Sequence, residues 1–288
     1  MGLGIGAIQS TLELWQQGLF ENIENVVEMG SQELHLKEKD LEEMLKVAGL
    51  ENFNKEEFPN IGNWPEQPRC PSSALYKKLG AKDYYCFDVN GEHGALQHDW
   101  NLPFEDKSLY NYFDLVTDHG ACEHAFNISE TYKTIHKLCK PGGLIMIHQA
   151  LWGGNGYFLY DKHFFEGIAA ANGYKILFSS YVVCLNEKTF HGSGHQFHIP
   201  LNSALLKSID LKNTPAIGVS AILQKQNDEE FKIPYQGQYL AEKQNHYGFN
   251  KLYYQDPPSH SYVPAFDLDH VSGKNLLTQL LKRIKGRF

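Results

Sequence analysis

Apolar residues recur at three- and four-residue spacing over residues 7–20, where Ile8, Leu12, Trp15 and Leu19 share one side of an amphipathic helix. The period then changes. Ile23–Met29 (IENVVEM) is a short, nearly continuous apolar run that meets Gly30, the pattern of a buried strand followed by a tight turn. A charged periodic stretch, Lys37–Leu50, predicts a helix, and the segment Asn52–Pro71 is rich in Pro and Asn with Trp64 among turn residues, so residues 34–70 read as an insertion. Order resumes with a helix at Ser72–Leu79, closed by Gly80. Strands are predicted at Tyr84–Val89, Phe113–Thr117 and Leu144–His148, with a helix-like stretch, Ile128–Cys139, between the last two. A helix at Lys162–Ala171 and strands at Lys175–Leu185 and Ala216–Gln224 follow.

Short apolar strands alternating with helices predict an α/β fold, a doubly wound and mostly parallel sheet with helices on both faces. The 288 residues are 42% hydrophobic, enough for one substantial core and short for two catalytic domains. The expected organisation is a single domain over 1–288, with a core at 7–33 and 71–226, the insertion at 34–70 and a C-terminal extension at 227–288. That extension is rich in Tyr, Pro and Gln and closes on a basic helical stretch, Leu276–Arg287.

A net charge of −8 argues against a protein that grips a nucleic-acid backbone, which needs clustered Lys and Arg. A small-molecule acceptor fits better. The five cysteines have no C-x-x-C spacing and read as reduced, buried thiols. Met1–Gly6 lacks the basic and apolar regions of a signal peptide and no 18-residue apolar run occurs, so the expectation is a cytoplasmic protein without stable membrane insertion.

In an open α/β sheet, ligands sit outside the carboxyl ends of the strands. After the first strand comes Glu28-Met29-Gly30-Ser31-Gln32, where a glycine admits close backbone approach and a carboxylate can meet a cation. After the next comes Asp88-Val89-Asn90-Gly91. Its carboxylate is placed to accept from vicinal ribose hydroxyls, and an ordinary Asp-Asn-Gly turn is the other reading. Then His98-Asp99-Trp100-Asn101-Leu102-Pro103-Phe104 precedes Phe113-Asp114-Leu115-Val116, and Cys122-Glu123-His124 precedes Leu138-Cys139-Lys140-Pro141-Gly142-Gly143-Leu144.

Taken in order across residues 26–148, these elements resemble the small-molecule class I methyltransferases. That family places an Asp and a Leu-Pro-Phe before a Phe-Asp-Leu-Val strand, then a Glu-His pair, then a Lys-Pro-Gly-Gly turn. The resemblance implies S-adenosylmethionine as cofactor, leaving as S-adenosylhomocysteine, with Glu28, Gly30 and Gln32 beside its methionine part, Asp88 on its ribose, and Asp99 with Trp100 at its adenine. Two departures stand out. The first motif has the single glycine Gly30, and 58 positions separate Gly30 from Asp88, where a dinucleotide-type unit has roughly 20. The insertion fills that interval, as a lid or a subunit contact, so a homodimer is open.

A sulfonium methyl needs alignment more than a catalytic group, but a hydroxyl acceptor gains from a general base near neutral pKa, the work of a histidine. His124, then His119, are the candidates for that role, and His148 with Tyr157 and Tyr160 of the glycine-rich loop 152–160 are candidates for holding the acceptor. His191, His195 and His198 have spacing for a metal only on a helix, which Gly192 and Gly194 disfavour, so no metal is expected. Asp256-Pro257-Pro258-Ser259 lacks the aromatic of the nucleic-acid amino-methyltransferase motif and reads as a turn. Methyl transfer to a polar small molecule or glycan-building precursor, at oxygen, leads. Transfer to nitrogen, a nicotinamide-dependent oxidoreductase and a non-catalytic descendant remain open.

Overall fold

The computed structural model describes residues 2–50, 52–184, 196–201, 206, 209, 214 and 216–236. Its chain begins with strand β1 (Gly2–Leu3) and helix α1 (Ile5–Gln16). The helix stops short of residue 20 because Gly18 takes a positive φ of 75°, so Leu19 falls outside it and is exposed. Strand β2 (Asn25–Met29) leads through Gly30 to β3 (Glu33–Leu34), which pairs with β1 in a separate two-stranded ribbon. Helices α2 (Glu38–Val47) and α3 (Ser73–Lys78) precede β4 (Asp83–Phe87).

The rest of the chain alternates. Strand β5 (Phe113–His119), helix α4 (Ile128–Leu138), strand β6 (Cys139–Trp152), helix α5 (Lys162–Asn172), and strands β7 (Lys175–Cys184), β8 (Gln196–Ile199) and β9 (Ala216–Gln224) follow. Seven strands form one sheet in the order β4-β2-β5-β6-β9-β7-β8. β4, β2, β5 and β6 are parallel; β9 runs antiparallel to both β6 and β7, and β8 is antiparallel to β7. Beyond β4 a single parallel bridge, Phe87 with Leu96, extends the sheet by one residue. The fold class expected from the sequence is the one observed, a mostly parallel sheet with helices on both faces.

Alternation along each strand sorts the core into two layers. Val26, Leu115, Leu144 and Met146 pack under α1, α2 and α3, while Val27, Val116, Ile145 and Ile147 pack under α4 and α5. Residues 34–70 are woven into the first layer. Leu36, Leu41, Met44, Phe58 and Ile61 are buried there with Ile8, Leu12 and Leu75. The Lys-Pro-Gly-Gly stretch lies within β6 as an irregularity, where Gly142 at φ 82° donates its N–H to the Lys225 carbonyl.

Candidate functional site

The chain leaves β2 for β4 on one side and then crosses back to β5 on the other. In open α/β sheets such a reversal leaves a crevice at the carboxyl ends of the strands it separates, here β2 and β5, and that is where ligands bind. Gly30 turns the chain there at φ 98°, a conformation that side chains resist, and its N–H is held by the Phe87 carbonyl at 2.8 Å. The next residue reaches across to the end of β4. Asp88 Oδ2 accepts from the Ser31 N–H and hydroxyl, both at 3.0 Å, and its Oδ1 accepts from the Asn90 N–H at 3.2 Å. Asp88 is only 7% exposed, and three of the roughly four acceptor positions of a carboxylate are taken. It is therefore both the Asp-Asn-Gly turn and a carboxylate facing the crevice. Ser31 is the residue that sequence reasoning missed, because a serine after a glycine carries no signal until the two loops meet.

Glu28 lies one level below the crevice floor. It is wholly buried, with Oε2 accepting from the Ser72 hydroxyl and from Tyr84 at 2.5 Å, and burial pushes its carboxyl up to about 7. Gln32 is buried as well. Its Nε2 donates to the Met29 carbonyl at 3.1 Å while Oε1 has no partner. Beyond β4, Trp100 is buried in the same apolar cluster as Met29, Phe87 and Phe104 with its indole N–H unpaired, and His98 stands edge-on to Phe104, its Nε2 unpaired. Asp99 is exposed and turns its carboxylate on Asn101, accepting from N–H at 2.9 Å and Nδ2 at 2.8 Å, which holds it below the usual range.

The loop after β5 is braced from two sides. Buried Asp118 accepts from the Ala121 and Cys122 N–H groups at 3.2 and 3.0 Å and from Gln149, while Glu123 accepts from the Ala150 N–H at 3.2 Å. The Glu123 carbonyl also holds the Tyr157 N–H at 2.8 Å, and Gly156 lies so close that a Cβ there would stand 2.6 Å from Glu123 Cγ. His124 is the most accessible of the expected histidines, its side chain 40% exposed and 3.7 Å from Glu123. His119 and His148 are neighbours on β5 and β6, drawn by burial down to about 3 and about 4. Tyr157 is 70% exposed beside Phe126, whereas Tyr160 is carried into the core against Phe164 with its hydroxyl unpaired.

No protein-family model matches the chain, and no curated relative does. Solved structures align with it. One is the 1,6-didemethyltoxoflavin-N1-methyltransferase of Burkholderia thailandensis with bound 1,6-didemethyltoxoflavin and S-adenosylhomocysteine, at 9% identity and a TM-score of 0.40 over 77% of this chain and 80% of that one. Another is a SAM-dependent methyltransferase of Archaeoglobus fulgidus, at 11% identity and a TM-score of 0.38 over 75% and 94%. At this identity and overlap such alignments say nothing of what this chain binds.

A second network flanks the crevice. Glu33 is buried and accepts from Arg69 at 2.9 Å, from Gln67 at 3.2 Å and from His93 at 3.3 Å, fastening residues 67–69 to the loop after β4. Trp64 is sandwiched between His35, 3.6 Å between centroids, and the Arg69 guanidinium at 4.5 Å. Nothing in the run Glu33-Leu34-His35 signals this arrangement, since its partners come from 29 to 60 positions away. A groove of about 600 Å³ lies between α4, α5 and residues 231–236, and Tyr132 in its lining reaches Asp118 of β5 at 3.5 Å. Among the described residues no group of three His, Cys, Asp or Glu side chains could hold a metal ion, and no helix is long and apolar enough to cross a membrane. His198 is bonded to Ser180 and to the Gly6 carbonyl; His191, His195 and the 256–259 and 276–287 segments lie outside the described residues.

Proposed function

We propose that the chain transfers a methyl group from S-adenosylmethionine to an oxygen of a polar small molecule. The observation that carries this is the crevice itself. A glycine turn and a clasped carboxylate at the end of the adjacent strand lie where the strand order reverses, and the loops around them carry unpaired buried groups (Trp100 Nε1, His98 Nε2, Gln32 Oε1), on the stretch whose ordered motifs resemble methyltransferases. Buried hydrogen-bonding groups without partners cost about 1–3 kcal/mol each, so a cluster of them at a ligand crevice fits a polar ligand. Gly30 would meet the methionine part, Asp88 the ribose with its remaining acceptor position, and Trp100 with Asp99 the adenine. The cofactor supplies a methyl already activated on a sulfonium, so the protein's own work is to align an acceptor and exclude water. His124, the more accessible of the two candidate bases, would take the proton of the accepting hydroxyl, since burial makes His119 too weak a base for that work. The acidic balance of the chain supports a small acceptor over a nucleic acid.

The test is calorimetry with S-adenosylmethionine and S-adenosylhomocysteine on the wild type, Asp88→Ala, Asp99→Ala and Ser31→Ala. Micromolar binding lost in Asp88→Ala but kept in Ser31→Ala supports a ribose contact, because the serine variant removes one hydrogen bond of the clasp and spares the carboxylate. No binding by the wild type would sink the reading. A non-catalytic descendant is the second reading, favoured by how fully Glu28, Asp88 and Glu123 are engaged by the protein itself. Release of S-adenosylhomocysteine with any acceptor excludes it.

A further inference from the structure

His119 closes β5 and pairs in register with His148 of β6, so the two side chains leave the same face of the sheet about 5 Å apart. The row continues through Ser220 of β9 to Ser180 of β7, and Ser180 is bonded to His198 of β8 at 2.6 Å. Two residues earlier the same face carries Thr117, Met146 and Ile222, and two earlier again Leu115 and Leu144. Towards its carboxyl edge, therefore, this face changes from hydrocarbon to hydrogen-bonding groups. Met29 pairs with Asp118, which brings the Gly30 turn beside His119 at the strand switch.

Three ring nitrogens here are unsatisfied: both nitrogens of His119 and Nδ1 of His148 are buried without a hydrogen bond. Gly218 gives His148 its place, since a Cβ there would lie 2.7 Å from the ring's Nε2. A core position would hold an apolar residue more cheaply, so two adjacent imidazoles with three unpaired buried nitrogens, at the carboxyl end of β5 beside the strand switch, point to a ligand that pairs them.

Resting on the methyl-transfer reading, we propose that His119 and His148 form the acceptor subsite, and that the acceptor is an uncharged compound carrying two neighbouring hydroxyls. A neutral imidazole offers one donor and one acceptor nitrogen, and a hydroxyl likewise both donates and accepts. Two rings side by side therefore match two hydroxyls. A carboxylate or phosphate only accepts and leaves the ring acceptors unpaired; an ammonium only donates and leaves the ring donors unpaired. Burial holds both rings neutral at pH 7, so they offer no cation to an anionic acceptor.

The test uses the full chain, labelled with ¹⁵N-histidine and titrated with cis-cyclohexane-1,2-diol, cyclohexanecarboxylate and cyclohexylamine, three probes on one ring, in the presence of S-adenosylhomocysteine. His119→Phe and His148→Phe assign the two rings. The diol is expected to shift the His119 and His148 nitrogens saturably, with an affinity at least about tenfold above either charged probe, the worth of one unmatched hydrogen-bonding group. Gly218→Ala, which crowds the His148 ring without altering its chemistry, is expected to weaken the diol and spare S-adenosylhomocysteine. Equal response to the charged probes, or diol shifts that leave these two rings still while S-adenosylhomocysteine binds, overturns the subsite alone. Diol shifts at both rings without any S-adenosylhomocysteine binding uphold the hydroxyl subsite and overturn methyl transfer.

Discussion

Replacing Glu28 with Gln removes a carboxyl that the fold holds at an energetic disadvantage. Glu28 is wholly buried, and burial outweighs the favourable hydroxyls of Ser72 and Tyr84, moving its pKa from 4.5 to about 7. With the folded value raised, both states bind the proton below pH 4.5 and no penalty exists. As pH rises from 4.5 to about 7 the unfolded chain ionises while the folded one stays neutral, and stability falls; above about 7 the loss is complete. At about 1.4 kcal/mol per pH unit the full penalty is about 3 kcal/mol. Glu28→Gln keeps the shape and abolishes the ionisation, so it is expected to stabilise the protein by about 3 kcal/mol at pH 8.5 and by little near pH 5. Urea denaturation of both proteins across that range measures it, since the difference between them isolates Glu28 from every other titrating group. Parallel stability curves for wild type and variant would refute the reasoning. A cationic ligand group brought over Glu28 favours its ionised form, so any ligand that supplies one is expected to stabilise the wild type more than the variant at alkaline pH.

Lys225 is completely buried, its three ammonium N–H groups shared among four acceptors, the His136 and Cys139 carbonyls at 2.8 Å, Asn111 at 2.9 Å and Asp228 at 3.1 Å. Lys225→Met strands two carbonyls at the end of α4 and is expected to cost about 2–4 kcal/mol in urea denaturation, somewhat less than the sum of lost bonds because the ammonium's own desolvation is recovered. Gly156→Ala drives a Cβ into Glu123 and is expected to cost about 1–3 kcal/mol. Hydrogen exchange at the Tyr157 amide, held by the Glu123 carbonyl, should quicken, and unchanged protection would count against the brace. Ser31→Ala is expected to destabilise by about 1 kcal/mol in thermal unfolding through the lost hydroxyl bond to Asp88, with the backbone bond retained.

Element existence was legible wherever the apolar period was long or the run was bounded by glycine. Ala216–Gln224 forms over the predicted residues, and Lys162–Asn172 exceeds its prediction by one because Gly173 supplies the left-handed cap. The ribbon of β1 with β3 and the edge strand β8 were not legible, since strands of two and four residues carry too few alternations to show a period. Residues 34–70 look like an excursion in sequence because their apolar residues are spread among prolines and charges, yet folding gathers them under α1.

The succession of elements along the chain belongs to the sequence: an α/β alternation, the Gly30 turn, and Asp88 and His119 placed at carboxyl edges where a sheet takes ligands, whereas His148, expected to end its strand, lies inside β6, which runs on to Trp152. Tertiary structure decided what each of these groups touches. It set Glu28 beneath the crevice rather than in it, turned Asp88 on Ser31 and Asp99 on Asn101, carried Tyr160 into the core, and placed two imidazoles with three unpaired nitrogens side by side. The physical reason is that strand propensity and periodicity act over a few residues, whereas hydrogen-bond partners and burial come from segments tens of positions apart that meet only when the sheet forms.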